Sequence, residues 1–334
     1  MDYKPLGRSG LRVSQICLGT MMFAARTEKP DADRIVAMAR DAGVNFVDTA
    51  DAYAGGGSER MLGELIRPDR DRWVLATKVG NAIGKAPNHG GHSRKWLMES
   101  IDASLARLGT DYLDIWYIHI DDLHTPLEET IGAIADIVRA GKTRYWGVSN
   151  FPAWRLNQAC HVAAGLGLAA PVASQPLYNA VNRQIEAEHL PACAYHGIGV
   201  VPYSPVARGV LTGKYGVDGS APPDSRAAVK DRRMMETEFR PESFAIAQKI
   251  VDHARTRGMT PTQFAILWVL RNRLVSSVIA GPRTIAQWEE YLGALAHRLD
   301  DADETTVDAL VKPGHASTHG FTDPRYPVTG RVVA

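Results

Sequence analysis

The amino-acid sequence predicts an α/β protein of the (β/α)8 barrel class, in which eight parallel strands alternate with helices. Short runs rich in β-branched and aromatic residues alternate with longer stretches of helical spacing along the 334 residues. The alternation repeats roughly every 30 residues, which is typical of parallel strands joined by helical crossovers. Eight such units fill a barrel, and the first strand lacks the glycine-rich phosphate fingerprint of the alternative fold, a doubly wound sheet.

The candidate strands are short and apolar, and turn residues separate them from the following helices. They span residues 15–19, 45–49, 73–78, 113–119, 143–149, 172–176, 199–203 and 277–280. The interval between the last two is much longer than the others and carries several glycines and prolines. We therefore predict a single domain over residues 1–312 with a long loop at about 213–241, followed by a tail over residues 313–334.

Aliphatic residues between the strands recur every three or four positions, which is the spacing of one helix face. The two clearest sets are Leu97, Ile101, Leu105 and Leu108, and Leu127, Ile131, Ile134 and Val138. A further helix begins near Thr260, because Thr260 and Gln263 form a capping-box pattern around Pro261.

Charge and cysteine content exclude several classes of function. The chain carries a net charge of +1, so its surface as a whole has no positive field that would attract nucleic acid or an anionic membrane. A polyanionic ligand therefore needs a local site. Cys17, Cys160 and Cys193 lie far apart, which predicts neither a disulfide framework nor a structural zinc site. Because the N-terminus also lacks an apolar signal segment, we expect a cytoplasmic protein.

Polar side chains stand at the carboxyl ends of the predicted strands, where the side chains of a barrel converge on one mouth. Asp48, Lys78 and His119 close or follow three of these strands, and Tyr53 lies in the loop after Asp48. A phenol is a poor acid at neutral pH, but a nearby ammonium lowers its pKa. A neutral histidine can donate a hydrogen bond to a carbonyl oxygen. This set suits adding a proton to oxygen while a cofactor delivers hydride to carbon.

Several long motifs in the same order resemble the aldo-keto reductases, NADPH-dependent (β/α)8 barrels that interconvert carbonyls and alcohols. The matching segments are residues 43–53, 100–119, 147–150, 175, 203–205, 209–215 and 278–284. The resemblance extends over about residues 3–312, nearly the whole chain. It implies that Tyr53 is the general acid, that Asp48 and Lys78 tune it, and that His119 orients the carbonyl.

The resemblance also implies a cofactor site for NADPH or NADP+. The residues that it assigns to the cofactor are Gly19, Thr20, Met21, Asp48, Ser149, Asn150, Gln175, Tyr203, Ser204, Val206, Arg208, Gly209, Lys214, Gly281, Arg283, Gln287 and Glu290. Among them, Ser149, Asn150 and Gln175 would hold the nicotinamide carboxamide, Tyr203 would stack on the ring, and Arg283 would meet the adenosine 2'-phosphate. Ser204 and Gly209 would contact the pyrophosphate. The residues assigned to substrate are Met22, Phe23, Tyr53, Trp116 and His119.

Two positions depart from the family pattern around the adenine. Gln287 is followed four residues later by Tyr291 instead of asparagine, and its side chain could also serve the start of its own helix after Thr284. Pro282 has no backbone N–H for a ribose phosphate. NADPH is therefore the expected cofactor, with NADH as the alternative.

The sequence leaves other functions open. The leading interpretation is a carbonyl reductase that also runs in reverse on an alcohol. The alternative is a redox-sensing regulatory subunit that binds the cofactor with little turnover, because relatives of the family include cytoplasmic β subunits of potassium channels. A third, a metal-dependent barrel isomerase, rests on four histidines that we expect to be exposed to solvent, at positions 89, 92, 315 and 319.

Overall fold

The computed structural model describes residues 1–216 and 218–328. The chain forms two compact units. The first comprises Met1–Pro176, Glu188–Tyr203 and Arg273–Leu292, and the second comprises Leu177–Ala187, Ser204–Asn272 and the described part of Gly293–Ala334. The prediction of one domain over residues 1–312 stays a prediction.

The first unit contains an eight-stranded parallel sheet, preceded by an antiparallel hairpin of β1 (Tyr3–Pro5) and β2 (Arg12–Ser14). The strands of the sheet are β3 (Ile16–Gly19), β4 (Phe46–Asp48), β5 (Val74–Val79), β6 (Leu113–Ile118), β7 (Thr143–Ser149), β8 (Ala173–Gln175), β9 (Gly199–Val200) and β10 (Val278–Ala280). They pair in the order β10-β3-β4-β5-β6-β7-β8-β9. Backbone hydrogen bonds from Ser276 N to Val200 O (2.9 Å) and from Ile279 N to Pro202 O (3.0 Å) join the two outer strands. The sheet is therefore closed, and the predicted barrel is confirmed.

The helices occupy the intervals that the sequence predicts. They are α1 (Lys29–Asp41), α2 (Gly57–Ile66), α3 (Arg94–Leu108), α4 (Leu127–Arg139), α5 (Ala153–Gly165), α6 (His189–His196), α7 (Arg232–Thr237), α8 (Pro241–Thr256), α9 (Pro261–Arg271), α10 (Ile285–Gly293) and α11 (Asp301–Leu310). One helix follows each strand from β3 to β8, as a parallel sheet requires. Each of the eight predicted strand segments contains one observed strand, and only β5 extends beyond its segment, by Val79.

Alternation along the strands decides which side chains face the barrel interior. The buried interior cluster takes Val74 and Ala76 from β5 and Ile115 and Tyr117 from β6, together with Phe46 from β4. Continuing the same alternation by two residues reaches Asp48, Lys78 and His119. These three residues therefore stand on the inward side at the carboxyl ends of neighbouring strands.

Close packing of α2 against the end of α3 gives a test of the barrel's outer layer. A Cβ atom added at Gly63 would lie 2.2 Å from the backbone oxygen of Leu108, whereas one added at Gly132 in α4 would have nothing within 4 Å. We expect Gly63→Ala to destabilise the protein by about 1–3 kcal/mol, because backbone atoms must move. Gly132→Ala should instead stabilise it by up to about 1 kcal/mol through helix propensity. Chemical denaturation measures both, and equal effects would contradict this packing.

The second unit contains α7, α8, α9 and α11. The helix predicted near Thr260 is confirmed: Thr260 N donates to Gln263 Oε1 (3.0 Å) and Gln263 N donates to Thr260 Oγ1 (3.2 Å), which completes the capping box. The predicted loop at 213–241 is not structureless, because α7 lies within it. Residue 217 of this loop lies outside the described residues.

The described part of the tail packs on α7 and α8 within the second unit. Asp323 accepts hydrogen bonds from Arg233 at 3.0 and 2.5 Å. The guanidinium carbon of Arg240 lies 3.7 Å from the centre of the Phe321 ring, and Ser317 is hydrogen-bonded to Arg240 at 3.1 Å. The predicted tail is thus tied to this unit by charge and stacking as far as residue 328, and residues 329–334 lie outside the described part.

Candidate active site

The carboxyl ends of β4, β5 and β8 bring together a buried ion pair and an amide. Lys78 and Asp48 are 0% and 2% exposed and form a salt bridge. Lys78 Nζ also donates to the backbone oxygen of Thr49 at 2.7 Å. Gln175 Nε2 donates to the second oxygen of Asp48 at 2.9 Å. The carboxylate is therefore held from two sides, and it fixes the lysine.

The lysine of this pair keeps its charge. Burial alone would lower the pKa of Lys78, but the Asp48 carboxylate and the Tyr53 phenol beside it outweigh burial, and the pKa lies above the usual value for lysine. An ammonium group is consequently present at neutral pH in a site shielded from water, where its effect on a neighbouring group is strong.

Tyr53 is placed against this ammonium by a short turn after β4. The turn spans Tyr53–Gly56, and Tyr53 N donates to Ala50 O at 3.1 Å. Lys78 Nζ lies 3.3 Å from the Tyr53 hydroxyl oxygen and 4.9 Å from the centre of its ring. Both contacts favour negative charge on the phenol oxygen.

His119 completes the group of four. Its backbone N–H donates to Val79 O at 2.8 Å, which ties the end of β6 to β5. Its ring meets the Tyr53 ring edge-on, with the centres 5.8 Å apart and the planes at 80°. The structure therefore brings together all four residues of the predicted proton-transfer set.

A second hydrogen-bonded group lies at the ends of β7, β8 and β9. Ser149 Oγ donates to Gln175 O at 2.8 Å, and Asn150 Nδ2 contacts both Ser149 Oγ and His119 O at 2.9 Å. The Tyr203 hydroxyl donates to Asn150 Oδ1 at 2.8 Å. Asn150 has a φ of 59°, an uncommon conformation for a residue other than glycine. The four residues predicted to hold the nicotinamide thus form one network beside Asp48 and His119.

The predicted cofactor residues near β3 and β10 lie in the same unit. The Thr20 side chain is buried and hydrogen-bonded to Asp48 O (3.1 Å) and to Ser58 (2.9 Å). Gln287 Oε1 accepts from Arg283 N at 2.8 Å, so this side chain serves the chain turn at the start of α10. The other members of this set are Gly19, Met21, Gly281 and Glu290.

The remaining predicted cofactor residues belong to the second unit and lie close together in the sequence after Tyr203. They are Ser204, Val206, Arg208, Gly209 and Lys214. Positive φ angles occur at Ser204 (57°), Arg208 (51°) and Gly209 (102°). A Cβ at Gly209 would lie 2.6 Å from Cε of Lys214, so the segment closes tightly on itself. Val206 O accepts from the backbone N–H of Gly209 at 2.8 Å. The predicted role of Ser204 and Gly209 at the pyrophosphate stays a prediction.

The predicted substrate residues are not all at the mouth. Trp116 and Phe23 are 0% exposed, and Met22 is 9% exposed. Trp116 lies between Ile115 and Tyr117, which both face the interior cluster, so it points to the opposite side of the sheet. Neither Trp116 nor Phe23 offers surface to a ligand here, and we do not propose them as substrate contacts.

The four histidines considered for a metal do not share one environment. His89 is exposed and stacks on Trp96 with ring centres 5.4 Å apart, and His315 and His319 are also exposed. The expectation that all four are exposed is wrong for His92, which is 1% exposed and whose pKa burial lowers to about 4. Across residues 1–216 and 218–328, no group of three or more His, Cys, Asp or Glu residues is arranged to hold a metal ion.

Sequence reasoning missed two features beside the site. Asn81 Nδ2 lies 2.8 Å from His119 Nδ1. Asp51 is 1% exposed, and burial together with the nearby charge of Glu59 raises its pKa to about 7. Glu59 is itself paired with Arg107 at 2.5 Å. Asn81 follows Lys78 by only three residues, and that short distance past a strand end is the signal that could have revealed it.

Comparison with known proteins identifies the family of this barrel. The sequence matches the model of the Aldo/keto reductase family over residues 15–312. The chain belongs to the aldo/keto reductase family. Aldo/keto reductases are NAD(P)H-dependent oxidoreductases, so the four clustered residues lie in an enzyme family whose chemistry they suit.

Three similar proteins are named as subunits of potassium channels and not as reductases. The chain is 38% identical to a probable voltage-gated potassium channel subunit beta of Oryza sativa subsp. japonica over 301 residues, covering 88% of this chain and 91% of that protein. A probable subunit of Arabidopsis thaliana gives the same identity and coverage. A putative subunit of Schizosaccharomyces pombe is 37% identical over 322 residues, covering 93% and 92%. Among the helices of residues 1–216 and 218–328, none combines the length and the apolar character that a membrane span requires.

Proposed function

We propose that this protein is an NADPH-dependent reductase that converts an aldehyde or ketone to the alcohol, and that it oxidises the alcohol when oxidised cofactor is abundant. The observation that carries the proposal is the position of the Tyr53 hydroxyl, 3.3 Å from the buried ammonium of Lys78 and beside the ring of His119. An acid, a group that tunes it and a hydrogen-bond donor stand together at one end of the barrel.

Tyr53 supplies the proton in this proposal. The Lys78 ammonium stabilises the phenolate that remains after proton transfer, which makes the phenol a usable acid at neutral pH. Asp48 keeps the ammonium in place, and its second oxygen is held by Gln175 at 2.9 Å. In the direction of alcohol oxidation the same phenolate accepts the proton.

His119 orients the oxygen that receives the proton. Its ring packs edge-on against Tyr53, so a carbonyl oxygen that accepts from the histidine also lies near the phenol. Two donors aimed at one oxygen polarise the carbonyl and hold its carbon in a fixed direction. The residues of the chain therefore account for the proton and for the orientation of the substrate.

The residues present fit a nicotinamide cofactor. A primary carboxamide has one acceptor oxygen and an NH2 donor, and Ser149, Asn150 and Gln175 offer hydroxyl and amide groups of both kinds in one network. The half-buried Tyr203 ring lies against Asn150 and supplies an aromatic surface. When bound, the reduced nicotinamide supplies the hydride for the carbonyl carbon. We assign the carboxamide to these side chains.

We further propose NADPH over NADH. Arg283 is a half-buried cation on the loop after β10, and its guanidinium is suited to a 2'-phosphate. The side-chain oxygen of Gln287 accepts a hydrogen bond from the backbone N–H of Arg283. We therefore assign the 2'-phosphate to the Arg283 guanidinium and not to Gln287.

The first experiment is NADPH consumption, followed by its absorbance, across aldehydes, ketones and sugar phosphates. We expect multiple turnovers on at least one class, with a lower kcat/KM for NADH than for NADPH. Comparable kcat/KM for the two cofactors would count against the assignment of Arg283. Bound NADPH that no carbonyl oxidises would count against the reductase.

A second candidate function is suggested by the names of the relatives. The potassium channel β subunits are 37–38% identical over most of both chains, so this chain could serve as a cofactor-binding subunit of a membrane channel. This function requires cofactor binding without rapid turnover. This function would be favoured if kcat on every carbonyl compound were lower than the rate at which bound cofactor exchanges with free cofactor. Rapid multiple turnover would count against it.

A further inference from the structure

The side chains of Asn81 and His119 are in hydrogen-bond contact beside the group of four. The Asn81 side-chain nitrogen Nδ2 lies 2.8 Å from His119 Nδ1. An amide NH2 group donates and does not accept, so with Nδ2 in this position Nδ1 acts as the acceptor and carries no hydrogen. A neutral imidazole has one N–H, and in this arrangement it is on Nε2. That nitrogen is then the donor of the ring.

Packing against His92 and backbone hydrogen bonds restrict the conformation of the backbone around Asn81. Gly80 has a φ of 122°, and a Cβ there would lie 2.6 Å from Nε2 of the buried His92. Gly91 N donates to Gly80 O at 3.2 Å, which closes the loop between them. His119 N donates to Val79 O at 2.8 Å. The turn after β5 and the end of β6 are therefore held together, and Asn81 is presented to the histidine ring.

We propose that Asn81 is a positioning residue that holds His119 in the tautomer with its proton on Nε2. The consequence for catalysis rests on the proposed function: with the proton on Nε2, His119 donates to the carbonyl oxygen, and with the proton on Nδ1 it cannot. The tautomer itself is a property of the free protein. It is set by a residue outside the group of four, on the loop after the lysine strand.

Other titratable groups surround His119, and the test must separate them from Asn81. Tyr53 packs against its ring, and behind Tyr53 stands the Lys78–Asp48 pair. Two residues farther along the chain, Asp121 is paired with Arg155 at 3.0 Å. Near the turn that carries Asn81 lie His92, behind Gly80, and Asp122, which accepts from the backbone N–H of His92 at 3.1 Å. These groups are common to every variant of Asn81, so differences among such variants report the side chain at position 81.

The direct test is the tautomer of His119 in the intact protein. Two-bond proton–nitrogen NMR correlations distinguish protonated from unprotonated imidazole nitrogens, and the signals that disappear in His119→Gln assign the residue among the 11 histidines. We expect Nε2 protonated and Nδ1 unprotonated at neutral pH. A protonated Nδ1 in the unmodified protein would overturn the proposal.

Asn81→Asp and Asn81→Leu form a pair of similar size for the catalytic consequence. A carboxylate at position 81 accepts from Nδ1–H, raises the pKa of His119 and, above that pKa, keeps the single proton on Nδ1. We expect kcat of Asn81→Asp to fall at least about tenfold as pH rises through the new pKa. Asn81→Leu lacks the carboxylate and should lower kcat without adding this pH dependence.

Identical pH profiles of the two variants would also overturn the proposal. NADPH affinity and melting temperature, measured for both, exclude a general loss of structure as the cause of any difference. The NMR measurement needs no substrate. Absence of turnover would therefore count against the proposed function, whereas a protonated Nδ1 would count against the role of Asn81.

Discussion

Replacing Tyr53 with phenylalanine is expected to lower kcat by about 10²–10⁴-fold while leaving NADPH affinity within about twofold. The Tyr53→Phe variant keeps the ring that packs on His119 and that the Lys78 ammonium faces at 4.9 Å. Only the hydroxyl oxygen, 3.3 Å from Lys78 Nζ, is removed. The loss therefore isolates the proton donor. Steady-state kinetics and a fluorescence titration with NADPH measure the two quantities.

Tyr195→Phe is the matched control for this change. Tyr195 lies in α6 of the same unit and is 78% exposed. Removing its hydroxyl should change neither kcat nor NADPH affinity. If Tyr53→Phe retained the kcat of the unmodified protein on the carbonyl that it reduces best, Tyr53 would not be the acid.

Replacing Lys78 with methionine is expected to affect both turnover and stability. Lys78 is 0% exposed, and its loss leaves the buried Asp48 without its cation. Breaking a buried pair from one side typically costs about 3–5 kcal/mol, because an uncompensated charge remains. The phenol also loses the ammonium that makes it acidic, so we expect kcat to fall by at least about 100-fold. Chemical denaturation and steady-state kinetics measure the two effects.

Two further variants distinguish the cost of an unpaired buried charge at Asp48 from the cost of removing a lysine side chain. In the double variant Asp48→Asn/Lys78→Met, the amide that replaces the carboxylate carries no charge and still accepts from Gln175. The double variant should therefore recover much of the stability but none of the activity. Lys95→Met breaks an exposed pair with Glu99 and should cost at most about 1 kcal/mol. A double variant no more stable than Lys78→Met would contradict the account of the buried pair.

The repeated alternation of strands and helices predicted the barrel, and the positions of Asp48, Lys78 and His119 at strand ends predicted that they converge. These residues occupy positions of the same parity as the interior cluster, and parallel strands end at one mouth. The same parity argues against Trp116, which stands three residues before His119 and therefore faces the other side of the sheet. Phe23 is 0% exposed, and nothing in its sequence surroundings indicates that the loop after β3 buries it.

The missed features depend on loop backbone and on the density of packing. Asn81 reaches His119 only because the chain turns at Gly80, whose φ of 122° a sequence pattern does not reveal. His92 was expected to be exposed in a glycine-rich segment, yet it fills the space under that turn.

A single-turnover experiment with NADPH deuterated at the transferred position of C4 tests the central claim most directly. The protein carrying this cofactor is mixed with the carbonyl compound that gives the fastest steady-state rate, in parallel with Tyr53→Phe. The account predicts that deuterium appears on the alcohol carbon of the product, and that the rate falls about 10²–10⁴-fold in the variant with the cofactor still bound. Cofactor that stays reduced in the unmodified protein, or an equal rate in both proteins, would contradict it.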